Sequence, residues 1–350
     1  VDLCSLPDVF TQKELIFPAR FVALGNVVSF SNTAASFGNP AFCARTAIPD
    51  SIHIGLLPLR TTFHGAHLFA ASVGDSWIAE TIPHHLRDQM RQTCPDASTE
   101  IIPIKDECFI ATRYGHGTWG HWLGEILPLV AVSERLYPGR FRYATTFYGG
   151  ETAWYGSRIV ETFAAYGITE NRLFRMMQNR SYMFSAAHWI TPAWSDHVMH
   201  PDVATVMRGS VQLAAGIESK RVALLSRGTR GRNVINADTI RSILHAHDYV
   251  PVDIEALSFS QQVLLFRHAE NIFSVLGSGL AGLLFSPDAI KVVTIRPEQW
   301  LDRFFTALMQ LRRGKWADIS GPTSGNNPMS DPFSVVDDEV ASALQAMHGG

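Results

Sequence analysis

The sequence is short of charge. Only 17% of its 350 residues are Asp, Glu, Lys or Arg, and 29 basic residues nearly balance 32 acidic ones, for a formal net charge of -3. No excess of either sign pulls the whole chain toward nucleic acid or an acidic membrane. Cysteine is scarce as well. Cys4, Cys43, Cys94 and Cys108 form no CxxC pair and no Cys/His spacing of the zinc-finger kind. Reduced thiols and a cytosolic setting are expected for a chain this long. No apolar run reaches the ~18 residues that argue for a membrane-spanning helix. Residues 1–20 show no basic stretch followed by an apolar one, so no signal peptide is expected. Internal repeats and low-complexity blocks are also missing. What the chain does have is apolar side chains, 46% of the total, enough to exclude a disordered protein. The length suggests about two domains.

The first part, residues 1–110, reads as short strands separated by Gly and Pro turns: FVALGNVVSF, HIGLLPL, HLFAASV, EIIPI and ECFIATR. From Thr118 to about Leu136 the period becomes helical. Residues 141–220 alternate short apolar runs with helical stretches at 151–166 and 202–216. The most regular stretch is 221–297. RVALLSR, YVPVD, NIFSVLG and IKVVTIRP read as strands, separated by the helical segments ADTIRSILHAHD and SFSQQVLLFRHAE and by the glycine turn GSGLAG with a following helix. Such alternation predicts a parallel sheet with helices on both faces. Ligands of these sheets bind beyond the carboxyl ends of the strands. Residues 319–335 are rich in Gly, Pro, Ser and Asn and read as a linker or an extended crossing segment, followed by a last helix near Val336–Met347. The expected division is 1–215, 216–320 and a tail at 321–350.

Four clusters could carry chemistry. In GHGTWGHWLGEILPLV, residues 115–130, Thr118 can cap a helix whose His121 and Glu125 are spaced i, i+4 on one face. Pro128 should kink that helix, because it removes a backbone donor. A His beside a carboxylate can serve as a general base or position one. The bland alternative is a helix-stabilising pair, and for His116 a loop histidine. In LLSRGTRGRNVIN, Arg227, Arg230 and Arg232 follow a strand in a glycine-containing turn, where guanidinium forks suit phosphate oxygens. A solvated basic turn is the alternative. In LGSGLAGLLF, Gly277, Ser278 and Gly279 permit close backbone approach, and a following helix would offer free N–H groups to an anion. Close helix–sheet packing would need the same glycines. Glu255, just past a strand end, could accept from a sugar hydroxyl or simply be an exposed carboxylate. No convincing metal pair is seen; Asp253–Ile254–Glu255 is the nearest, and Asp337–Asp338–Glu339 suits the first turn of a helix.

Together these segments resemble the family 61 glycosyltransferases over roughly residues 105–305. The run Gly120-His121-Trp122-Leu123-Gly124-Glu125-Ile126-Leu127-Pro128 is followed by Ser226, Arg227, Arg232 and Asn236. Then come Leu257-Ser258-Phe259 with Gln261 or Gln262, and the turn Gly277-Ser278-Gly279-Leu280-Ala281-Gly282-Leu283-Leu284-Phe285. The pattern departs from many relatives at Leu276, where they carry His, and at Gly282, where they carry Asn. The resemblance implies an α/β fold of GT-B type, two facing Rossmann-like domains with parallel sheets. Residues 1–215 would be the acceptor side and 216–320 would bind a nucleotide-sugar.

It further implies an inverting transfer to a saccharide or lipid-linked saccharide, with the nucleotide-diphospho-sugar as co-substrate and no other cofactor or metal. His121 and Glu125 would be catalytic, with His116 and Trp119 on the acceptor side. Ser226, Arg227, Arg230, Arg232, Asn236, Glu255, Gly277, Ser278 and Gly279 would hold the donor. The expected setting is surface polysaccharide synthesis in the cytoplasm, at the inner face of the membrane. A polysaccharide pyruvyl transferase on the same scaffold, or a catalytically silent saccharide-binding protein, are the alternatives.

Overall fold

The computed structural model describes residues 22–24, 27–29, 59–64, 68–73, 76–78, 101–112, 117–146, 154–177, 181–188, 194–195, 198–199, 207–208, 220–225 and 231–348. The chain divides into two compact units, Val1–Val211 and Gln212–Gly350. Each is mixed α/β with parallel strands.

In the first unit the strands are β1 (Val22–Leu24), β2 (Val27–Ser29), β3 (Leu59–His64), β4 (Leu68–Val73), β5 (Ser76–Ile78), β6 (Ile101–Ile110), β7 (Arg142–Thr146), β8 (Leu173–Met176) and β9 (Ser181–His188). Among the described residues these nine form one sheet, in the order β1-β2-β5-β4-β3-β9-β6-β7-β8. A separate pair joins β10 (Trp194–Ser195) to β11 (Val198–Met199). The four strands β9, β6, β7 and β8 run parallel to one another, while β3 pairs antiparallel with β9. EIIPI and ECFIATR, expected as two strands, are the continuous β6, whose register slips between Ile104 and Glu107. Such a slip bends a strand. The bend accords with the packing of Phe174 of β8 on Tyr182 and Phe184 of β9, at 5.6 and 6.1 Å. The helical segment from α1 (Trp119–His121) through α2 (Leu127–Leu136) joins β6 to β7, and α3 (Trp154–Ala165) leads toward β8. Trp122 and Tyr143 both pack on Phe163 of α3, at 5.6 and 5.5 Å, and seal these helices to the sheet.

The second unit follows the strand–helix alternation read from residues 221–297. Its strands are β12 (Arg221–Leu224), β13 (Val250–Pro251), β14 (Asn271–Val275), β15 (Lys291–Pro297) and β16 (Lys315–Gly321). All are parallel, in the order β13-β12-β14-β15-β16. The helices are α4 (Ala237–Ala246), α5 (Phe259–His268), α6 (Arg303–Leu311) and α7 (Asp337–His348). Ser258 caps α5 in a reciprocal capping box with Gln261. Where the sequence leads one to expect the glycine turn GSGLAG and then an ordinary helix, residues Ser278–Phe285, most of that turn included, form a 3-10 helix. The expected linker at 319–335 starts inside β16. Further on, Phe333 is fully buried and bridges Val234 and Thr323. Phe333 shares one apolar cluster with Ile240 and Leu244 of α4 and Val340 and Leu344 of α7. The tail is thus part of this unit's core. Among the described residues no helix is long and apolar enough to cross a membrane.

Candidate active site

In the first unit the site begins where β6 ends. The chain runs from β6 to α1 through residues 113–116, so His116 lies outside the described residues. Thr118 holds the N-cap position of α1 with an extended backbone, but its side chain makes no capping bond. Trp119 is buried and edge-on to Tyr155 of α3 at 6.4 Å, which makes it a packing residue as well as a candidate acceptor contact. The expected kink at Pro128 takes a specific form. Residues Trp122–Ile126 widen into a π-helical segment, closed by the Leu127 N–H donating to the Trp122 carbonyl five residues back. Pro128 then enters in the first turn of α2, where a missing N–H costs least. Single π turns inside helices occur frequently at functional sites.

That segment carries Glu125 into the interior. Its side chain is 3% exposed, whereas that of His121 is 42% exposed, and His121 Nδ1 lies 2.6 Å from Glu125 Oε1. A buried carboxylate needs such a partner. With Glu125 ionised, such a contact is made by an Nδ1–H that donates to the carboxylate, the tautomer in which Nε2 carries the lone pair. Trp122 anchors the segment by donating from Nε1 to Thr162 Oγ1 at 3.1 Å, and Thr162 donates in turn to the Ile159 carbonyl. Cys108 is buried in β6; burial pushes its thiol up to about 12, far from reactive. The other three cysteines lie outside the described residues.

In the second unit the strand order has one reversal. From β12 the chain winds out to β13, and from β14 it winds the other way to β15 and β16. The crevice of such a sheet lies at the carboxyl ends of the two strands that flank the reversal, here β12 and β14. In sequence the arginine-bearing loop follows β12 and the glycine turn follows β14, the two strands that flank the reversal. Ser226, Arg227 and Arg230 lie outside the described residues. Gly277 is extended and precedes the 3-10 helix, with its carbonyl accepting from the Leu280 N–H at 2.9 Å. A Cβ added at Gly279 would fit in ordinary contact with the Ile254 side chain, at 3.5 Å.

Arg232 is buried, with φ +54°, and its N–H donates to the Ser330 carbonyl at 2.7 Å. The preceding Gly231 has φ +75°, and a Cβ there would come to 2.5 Å of the same carbonyl, so this position requires glycine. The guanidinium of Arg232 sits 3.8 Å above the ring of Trp300. Asn236 is drawn into structural bonds. Its amide donates to the Val335 carbonyl at 2.8 Å and to Asp337 Oδ1 at 2.7 Å. Glu255 is half-buried, and its N–H donates to Asp253 Oδ1 at 3.1 Å, a local turn. Among the described residues no three His, Cys, Asp or Glu side chains gather as a metal site. Trp300 and Ser330 escape the sequence reading, as does the bond of Asn236 to Asp337, a residue expected in and found in the first turn of α7, because these contacts span 68 to 101 positions.

Comparison with known proteins adds one match and one blank. A family model described as Glycosyltransferase 61 matches residues 119–293, half of the chain. The match begins at Trp119, two residues before His121, and ends in β15. No curated protein matches the chain.

Proposed function

Since the chain belongs to glycosyltransferase family 61, we propose that it transfers a sugar, with inversion, from a nucleoside-diphospho-sugar to a saccharide acceptor. That it is a glycosyltransferase follows from the family; donor, stereochemistry and acceptor are the proposal. What supports it is the strand order among the described residues: β12, which the arginine-bearing loop follows in sequence, and β14, which the glycine turn follows, flank the reversal. Basic forks and backbone N–H groups at such an edge suit a diphosphate.

In this reading the exposed imidazole of His121 takes the proton of an acceptor hydroxyl on Nε2. Buried Glu125 holds the ring in that tautomer and stabilises the imidazolium that forms, as a carboxylate does for a catalytic histidine elsewhere. The acceptor oxygen bonds to the anomeric carbon as the bond from that carbon to the diphosphate oxygen breaks. The leaving diphosphate keeps the electron pair, and its growing charge is met by Arg227, Arg230 and Arg232 without a divalent metal. The synthesis of surface polysaccharide at the cytoplasmic face of a membrane remains the setting that we propose.

Calorimetric titration with UDP, GDP, CDP, ADP and phosphoenolpyruvate tests the reading. One nucleoside diphosphate should bind, and Arg227→Ala or Arg232→Ala should weaken it roughly ten- to a hundredfold, the value of a charge-assisted hydrogen bond. Binding of phosphoenolpyruvate alone would indicate a pyruvyl transferase. Binding of neither, with retained saccharide binding, would indicate a silent lectin-like protein.

A further inference from the structure

The Arg232–Trp300 contact joins loops that leave β12 and β15. These strands are the two neighbours of β14, so the contact links loops that follow the strands on either side of the one from which the Gly277 turn departs. Trp300 is half-buried and is itself fixed from below. Arg296, at the end of β15, donates from Nη1 to the carbonyls of Pro297, Glu298 and Trp300 at 3.0, 3.0 and 3.2 Å. These three bonds fold the 297–300 loop around one guanidinium. Arg296 is held in turn by Asp318 of β16, whose Oδ2 accepts from Nε at 2.6 Å. Thr294 donates to Oδ1 of the same carboxylate at 2.6 Å and accepts from Trp316 Nε1 at 2.7 Å. The chain of contacts runs from the sheet interior to the face of one indole and ends on one cation.

A surface arginine spreads over many rotamers. Here the backbone of Arg232 is held by Ser330 and its guanidinium by the ring, so little freedom is left to lose when an anion arrives. We propose that Trp300 is a positioning residue for the donor: its ring holds the Arg232 guanidinium ready for the diphosphate. This inference rests on the proposed function and adds the element that sets donor affinity.

The test uses the full chain and whichever of UDP, GDP, CDP and ADP binds best. Trp300→Leu should weaken binding three- to thirtyfold, the span of a cation–π contact from exposed to desolvated. Trp300→Phe, which keeps an aromatic face, should stay within about threefold of wild type. Arg232→Lys keeps the charge but loses the flat stacking surface; it should fall with Trp300→Leu, and it serves as the reading if the leucine variant fails to fold. In the Arg232→Ala background, Trp300→Leu should add no further loss. Wild-type affinity in Trp300→Leu or in Arg232→Lys would overturn the inference while leaving the donor site standing. So would equal losses in Trp300→Leu and Trp300→Phe, or losses that add in the double variant. If the wild-type chain binds none of the four nucleotides, the proposed function itself fails and this inference falls with it.

Discussion

Gly282 lies in the 3-10 helix, and the structure gives a reason for glycine here. A Cβ built at this position would sit 2.6 Å from Cζ of Phe266 and closer still to two other ring atoms. Carbon atoms pack at about 3.5–4.0 Å. The ring would therefore have to retreat by about 1 Å or more, and Phe266 is fully buried in α5 with nowhere free to go. Forcing one methyl into such a core costs about 1–3 kcal/mol. Replacing glycine stiffens the unfolded chain, which returns about 0.4–1 kcal/mol. Gly282→Ala should then destabilise the second unit by about 1–2 kcal/mol. At about 4 °C per kcal/mol for a unit of this size, the melting temperature should fall by about 4–8 °C. Circular dichroism melts and urea titrations measure this directly. Gly282→Asn should fare worse than Gly282→Ala. Phe266→Leu should make both tolerable, with the double variant at least about 1 kcal/mol more stable than the sum of the single effects. A Gly282→Ala protein within about 0.5 kcal/mol of wild type would refute the argument. Strict additivity with Phe266→Leu would show that the ring is not the cause.

Other outcomes follow from the same contacts. Glu125→Gln and His121→Ala should each lower turnover by roughly 10²–10⁴ in a donor-consumption assay, with nucleoside diphosphate affinity nearly unchanged; normal turnover in both would return the pair to a structural role. Asn236→Ala should cost about 1–3 kcal/mol in urea unfolding, since the Val335 carbonyl and Asp337 lose a shared donor; a loss of nucleotide affinity without loss of stability would make Asn236 a donor ligand. Burial, followed by the positive Arg221, His247 and Lys291 nearby, holds His348 below its ordinary value, with Asp248 opposing. The unfolded chain therefore takes up the proton first as pH falls through about 6.5, so stability should drop on acidification and be regained above that pH. Urea midpoints at neutral and mildly acid pH should differ more for wild type than for His348→Gln, and equal differences would discount the site.

The second unit was the more legible in sequence. Strand and helix periods in 221–297 are strong because β12, β14 and β15 are buried along most of their length, and the Ser258–Gln261 capping box is a local signal. The stretch 303–318 receives no assignment from the sequence, although Asp302 caps α6 and RFFTALMQL carries a helical apolar stripe. The i, i+4 spacing of His121 and Glu125 correctly implied contact. It could not show that the turn between them is π-helical, because that choice is set by Pro128 and by packing under Phe163. The arginine turn was visible as chemistry, but its anchoring was not. Trp300 and Ser330 reach Arg232 from distant parts of the chain, and no local pattern announces a contact of that range.

The ladder that ties the arginine turn to the tail also sets an order of events during synthesis. Asn233 accepts from the Phe333 N–H, Ile235 donates to the Phe333 carbonyl, and Asn236 reaches Asp337. Closing loops of about 100 residues is entropically expensive and tends to come late in folding. A nascent chain from which β16 has emerged has exposed all five strands of the sheet, yet residues 233–236 still lack the partners that hold them. That segment would be fixed only once residues 322–337 have emerged as well.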